Sequence, residues 1–114
     1  MIEKTVISYL REKFPNEIVE AEVPRGMPDR FITVEKTGAR QIGIGLFTST
    51  IAVQSWDRTS RMRTAELSNS VCEALRLLPD EVDDVTRIRG ADYDFTDITT
   101  KRYRYQAVFE IIHY

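Results

Sequence analysis

Residues 101–113 read KRYRYQAVFEIIH, and this stretch decides the fold. Tyr103, Tyr105, Ala107, Phe109 and Ile111 fall on one phase of a period of two, with Arg102, Arg104, Gln106 and Glu110 on the other. That alternation is the mark of a half-buried antiparallel strand, apolar toward a core and polar toward water. Its apolar face needs a cover, and two stretches of helical period can supply one. In residues 2–14, Ile2, Val6, Leu10 and Phe14 recur every four residues, one stripe of an amphipathic helix stopped by Pro15-Asn16. Residues 61–78 carry a second stripe, Ala65, Leu67, Val71, Ala74, Leu75 and Leu78, opened by the turn and N-cap residues Asp57-Arg58-Thr59-Ser60 and ended by Pro79-Asp80. Tyr103, Tyr105, Phe109 and Ile111 are expected to pack on one of these stripes.

The remaining segments read as strands. IVEAEV, residues 18–23, alternates briefly and runs into a loop, Pro24 to Pro28, stiffened by a proline at each end. Residues 29–36 alternate Phe31, Thr33 and Glu35 against Ile32, Val34 and Lys36, with Thr37-Gly38 as the closing turn. In residues 39–47, Ile42, Ile44 and Leu46 alternate with Gly43 and Gly45, which fits either a weak strand or a mobile hairpin arm. TSTIAVQSW, residues 48–56, is rich in β-branched side chains, and the phase shifts near Leu46–Thr48, where a bulge or break is expected. Residues 83–93 set Val85, Arg87 and Arg89 against Thr86 and Ile88. The order α-β-β-β-α-β-β predicts an α+β fold: a mostly antiparallel sheet of about five strands with two helices on one face.

The chain of 114 residues shows no repeat or linker, so residues 1–114 are expected to form a single domain. No apolar run approaches the ~20 residues of a membrane span, and the first fourteen residues mix charge with apolar side chains rather than forming a signal peptide. The single cysteine, Cys72, excludes a disulfide framework and a cysteine-based zinc site. With a net charge of −2 there is no global basic field for nucleic acid. The sixteen cations are twelve arginines and four lysines, a bias toward the flat guanidinium fork that suits carboxylates at protein interfaces.

A search for catalytic or cofactor chemistry is unproductive. Lys101 to Tyr105 puts tyrosines on one face and arginines on the other, so rings and charges do not converge on a stacked base. Gly43-x-Gly45 lacks the third glycine and the helix start of a phosphate cradle. The lone His113, next to the last residue, is expected to be a half-exposed strand residue without metal partners, and Cys72 a buried, unreactive thiol. Asp80-Glu81-x-Asp83-Asp84 lacks the glycine and spacing of a calcium loop and reads, like Asp92, Asp94 and Asp97, as a solvated turn. No catalytic residues, metal ligands or cofactors are expected; the chain reads as a non-enzyme.

Several of these segments together resemble a family. The amphipathic N-terminal helix leads to FITVEKTGAR; after a variable loop comes TIAVQSWDRTSRMRTAELSNSVCEAL, a strand ending in Trp56, a polar turn and a helix with Ala65 in its first turns; the last strand is RYRYQAVFEII. In order and length this is similar to the small tail-terminator (tail-completion) proteins of long-tailed bacteriophages and prophages, and to related neck proteins. It departs at Lys36-Thr37-Gly38-Ala39, with one glycine where a pair is common. The resemblance implies a virion protein, made in the bacterial host cytoplasm, whose copies form a ring, a homohexamer, on the head-proximal end of the tail tube. Such a ring ends tail growth and joins the tail to the head connector. Its implied partners are itself, the tube protein and a connector or neck protein, with no membrane and with DNA met only in the ring lumen.

The alternative from the residues themselves is a small protein- or nucleic-acid-binding α+β module without catalysis, motivated by Arg58, Arg61, Arg63, Arg102 and Arg104. On either reading the expected contact residues are the arm, with Gly38, Arg40, Ile42, Ile44, Leu46 and Phe47, and the turn with Arg58, Arg61 and Arg63. The arm's glycines leave it little packing of its own, so it is expected to become ordered on a neighbour, whose carboxylates the three arginines meet.

Overall fold

Helix α1, Ile2–Lys13, buries more than the four-residue stripe: Val6 and Leu10 are joined by Ile7 and Tyr9, while Phe14 is only half-buried as the C-cap. Helix α2, Arg61–Arg76, starts where Ser60 accepts a 3.1 Å hydrogen bond from the Arg63 amide, the capping role its position predicts. It buries Thr64, Leu67, Ser68, Val71, Cys72 and Leu75; Ala65 and Ala74 sit half-buried at the flanks. The expected single helix to residue 78 is corrected to two. The chain breaks at Leu77, and a short helix α3, Leu78–Glu81, follows, with Pro79 in its first turn, where a missing N–H costs nothing. Tyr9 ties these helices together: its hydroxyl lies 2.6 Å from the Ala74 carbonyl and 2.8 Å from Glu81, which also pairs with Lys13 at 2.6 Å.

The computed structural model describes residues 1–97, 100 and 102–114. Five strands, β1 (Val19–Glu20), β2 (Arg30–Gly43), β3 (Leu46–Asp57), β4 (Val85–Asp94) and β5 (Arg104–His113), form one sheet in the order β1-β2-β3-β5-β4. All neighbours are antiparallel except β1, which pairs with β2 in parallel through Val19↔Ile32 and Glu20↔Thr33. The α+β class and mostly antiparallel five-stranded sheet are therefore as expected. The core is one layer deep. Ile32 and Val34 of β2, Ile51 and Val53 of β3, Ala107, Phe109 and Ile111 of β5, and Val85 of β4 meet the buried faces of all three helices. The opposite sheet face carries no helix.

Four details depart from the alternation. The strand expected over 18–23 is only two residues long, because the chain leaves the sheet after Glu20 for the proline loop and Ala21–Val23 stay exposed. Thr37-Gly38 is not a turn: β2 runs on to Gly43, and Thr37 is the extra residue of a bulge between the pairs Lys36↔Ile51 and Gly38↔Thr50. The irregularity expected near Leu46–Thr48 is there, but β3 itself is unbroken: the register shift opposite Leu46 and Phe47 lies on β2, between Gln41 and Gly43. In β4 a second bulge at Thr86 puts Val85 on the face of Ile88 and turns Arg87 and Arg89 to the other side, reversing the expected grouping of Val85 with the arginines. The last strand begins at Arg104; Tyr103 precedes it half-buried, Tyr105 lies outside the core cluster, and Lys101 lies outside the described residues.

Gly90 shows what β4 requires. It sits opposite Phe109, and a Cβ there would lie 2.3 Å from the Val108 carbonyl oxygen and 2.6 Å from Phe109 Cδ1. Gly90→Ala is expected to destabilise the chain by about 1–3 kcal/mol in urea unfolding, because backbone and a buried ring must both shift. An unchanged midpoint would place Phe109 elsewhere.

Candidate interface: the hairpin arm, the arginine corner and the bare sheet face

Gly38, Arg40, Ile42, Ile44, Leu46 and Phe47 lie on one hairpin, built by β2 pairing with β3 up to Gly43↔Leu46. Gly45 turns it with φ +67°, a left-handed conformation at which a side chain would be strained. This arm has regular strand pairing of its own: its β3 half also pairs with β5 up to Phe47↔His113. Of the arm's apolar residues, Phe47 turns to its own chain and stacks on the His113 ring, 6.0 Å between centroids, while Leu46 is half-buried. Ile44 at the tip is fully exposed and Ile42 is 42% exposed. Ile44→Ser is expected to move stability by less than about 0.5 kcal/mol. A loss above about 1 kcal/mol in thermal or urea unfolding would make the tip part of the subunit's own packing.

His113 is buried rather than half-exposed. Its Nε2 lies 2.7 Å from Ser49 Oγ, and its Nδ1 donates to the Tyr114 carbonyl at 3.1 Å. Ser49 is itself buried beneath the helices, so the pair is packed in the fold away from solvent. Cys72 is buried as expected, and burial first, then Asp92, pushes its thiol up to about 11. Among the described residues no group of His, Cys, Asp or Glu is placed to hold a metal ion, and no helix is long and apolar enough to cross a membrane.

Arg58, Arg61 and Arg63 sit at the other end of β3, roughly 36 Å from the hairpin tip at the usual strand rise, in a molecule 45 Å long. The arm and the turn are therefore separate patches. Each of the three arginines is exposed and already faces a carboxylate of its own chain: Arg58–Asp29 at 3.8 Å, Arg61–Asp94 at 3.7 Å and Arg63–Asp57 at 3.3 Å. Asp57 is the anchor of this corner and was legible in sequence only as a turn residue. It is 1% exposed, accepts from Arg30 at 2.7 Å and from the Thr59 amide at 2.8 Å, and its own carbonyl accepts from Thr64 Oγ1. Burial pushes its carboxyl up, but the Arg30, Thr59 and Arg63 donors outweigh that and hold it below the usual carboxylate range.

Beside that corner, Phe31 and Trp56 form a stacked pair, 5.1 Å apart, on the face without helices. Both are buried, beside Pro28 of the proline loop and Tyr103, and Arg104 lies over the rings of Trp56 and Phe95 at 4.9 and 4.4 Å. Further along the same face, Gln54 donates to Gln106, and Gln106 to Tyr93, across three strands. At the hairpin end the face is bare and concave. Arg40 and Ile42 on β2, Arg87 and Arg89 on β4, and Glu110 and Ile112 on β5 line a groove of about 230 Å³. Of these arginines, sequence offered Arg40 alone as a contact residue. Arg87 and Arg89 were missed because the bulge at Thr86 reverses the phase on which they were read.

Compared with known proteins, no family model matches the chain and no curated protein matches it significantly.

Proposed function

We propose that this chain is a structural phage-tail protein, a tail terminator or related neck protein, whose copies form a ring on the head-proximal end of the tail tube. The observation that carries the reading is the separation of the two contact patches at opposite ends of β3. A ring that ends a tube and receives a connector needs one contact surface at each end of its subunit. The hairpin tip with Ile44 and the corner with Arg58, Arg61 and Arg63 supply such a pair. The two-layer build supports it as well. A helical side and a bare sheet side are two unlike surfaces, and head-to-tail contact between unlike surfaces builds a ring when the rotation between subunits closes. The full-length order of elements, similar to that of tail terminators, is the third support.

The groove with Arg40, Arg87 and Arg89 favours the second reading, a binding module for acidic partners. The two separate in one assay. Tube protein from the encoding phage or prophage, polymerised with and without this chain, is expected to give shorter, capped tubes with it. Identical length distributions would contradict the terminator reading, and steeply salt-dependent DNA binding would favour the module.

A further inference from the structure

The bare end of the sheet and the turn between α3 and β4 carry opposite, unsatisfied charge. In the groove, Arg89 is paired with Glu110 at 2.8 Å, but Arg40 and Arg87 have no carboxylate partner among the described residues. Ile112 of β5 and Thr48 of β3 floor the groove between the two arginine edges, and Ile42 flanks Arg40. In α3 and the turn after it, Glu81 is held by Lys13 and Tyr9, whereas the carboxylates of Asp80, Asp83 and Asp84 are exposed and have neither ion pair nor hydrogen bond among the described residues. The turn joins the sheet at the groove's end, where the Asp84 carbonyl accepts from the Tyr114 amide, but the two sets face different sides. Leu78 and Val82, around the turn, pack into the core from the helix side, while Arg87 and Arg89 point away from the side to which Ile88 is packed. One subunit thus presents an arginine groove on one side and free aspartates on another.

We propose that the groove receives the acidic turn, residues 80–84, of a second copy of this chain, so that subunits join head to tail. The inference rests on the ring reading and names the contact that would build the ring. Arginine forks bind carboxylates with two parallel hydrogen bonds, and Ile112 in the floor limits the water that competes for them. Nucleic acid fits less well: Glu110 lies inside the groove, no aromatic side chain lines it for stacking, and the chain is net negative.

The test uses the full chain and neutral substitutions. At about 20 mM salt, where screening is weak, sedimentation of the wild-type chain is expected to show concentration-dependent association that weakens at least tenfold by about 0.5 M salt. The groove variant, Arg40→Ala with Arg87→Ala, and the turn variant, Asp83→Asn with Asp84→Asn, are each expected to lose at least tenfold in association while remaining folded by circular dichroism. Mixed in equal amounts they retain one intact groove and one intact turn per pair, so they are expected to stop at a one-to-one dimer. Association of either variant equal to wild type overturns the inference, even if rings form on tubes. A wild-type chain that stays monomeric at about 1 mM in low salt overturns it too, leaving the ring reading to the tube assay. Binding of a short DNA duplex that the groove variant loses, without self-association, replaces the second copy with nucleic acid.

Discussion

Phe109→Ala is expected to lower the unfolding free energy by about 3–5 kcal/mol, read from urea denaturation. Phe109 has no exposed surface and sits mid-strand in β5, between Ile51 on β3 and Gly90 on β4, under the helices. Removing the ring forfeits its burial, and the flanking strands are tied on both sides by ladder hydrogen bonds, so the space cannot collapse shut. The glycine opposite makes matters worse, since Gly90 has no side chain to move into the gap. A loss below about 1 kcal/mol would mean that this face of β5 does not meet the helices.

Asp57→Ala is expected to cost about 2–4 kcal/mol, the second largest effect. The substitution leaves the Arg30 guanidinium with Glu17 alone and takes an acceptor from the Thr59 amide and from Arg63. The guanidinium groups are partly exposed, so water recovers part of what a fully buried pair would lose. The same carboxylate shapes the acid limb. Its folded pKa lies below the ordinary 3.8, so the unfolded chain takes up its proton first as pH falls. The stability Asp57 contributes is present above about pH 4 and is lost as pH falls from there through its folded value. Asp57→Asn is expected to flatten this part of the stability–pH curve. A variant with the wild-type slope between pH 4 and pH 2 would assign the acid sensitivity to other carboxylates.

How far the sequence carried can be seen at particular residues. β5 was legible because no bulge interrupts it between Arg104 and His113, so one phase holds throughout. β2 and β4 were legible as strands but not in phase throughout, because Thr37 and Ile42 in β2 and Thr86 in β4 each insert an unpaired residue and shift the side chains that follow. That shift hid the groove, which needs Arg87 and Arg89 on the same face as Arg40. The stacking of Phe47 on His113, 66 positions later, depends on the β3–β5 register, and no local pattern encodes it. Phe47 therefore read as a free apolar residue. The pairing of Arg30 with Asp57 follows from their being opposite in the β2–β3 ladder, again a matter of register rather than of either residue's neighbourhood. Cys72, by contrast, was readable in place, since its burial follows from the helical stripe alone.

Ile44, Arg58, Arg61 and the groove contribute little to the isolated subunit, so their variants are expected to keep the fold while changing assembly. The most direct measurement is electron microscopy of tail tubes assembled with this chain. The account predicts a closed ring of additional density at one end of each tube, with a mass matching six copies, and absent when the chain is left out. Tubes whose two ends look alike with and without the chain, under conditions where it remains folded and in excess, would contradict it.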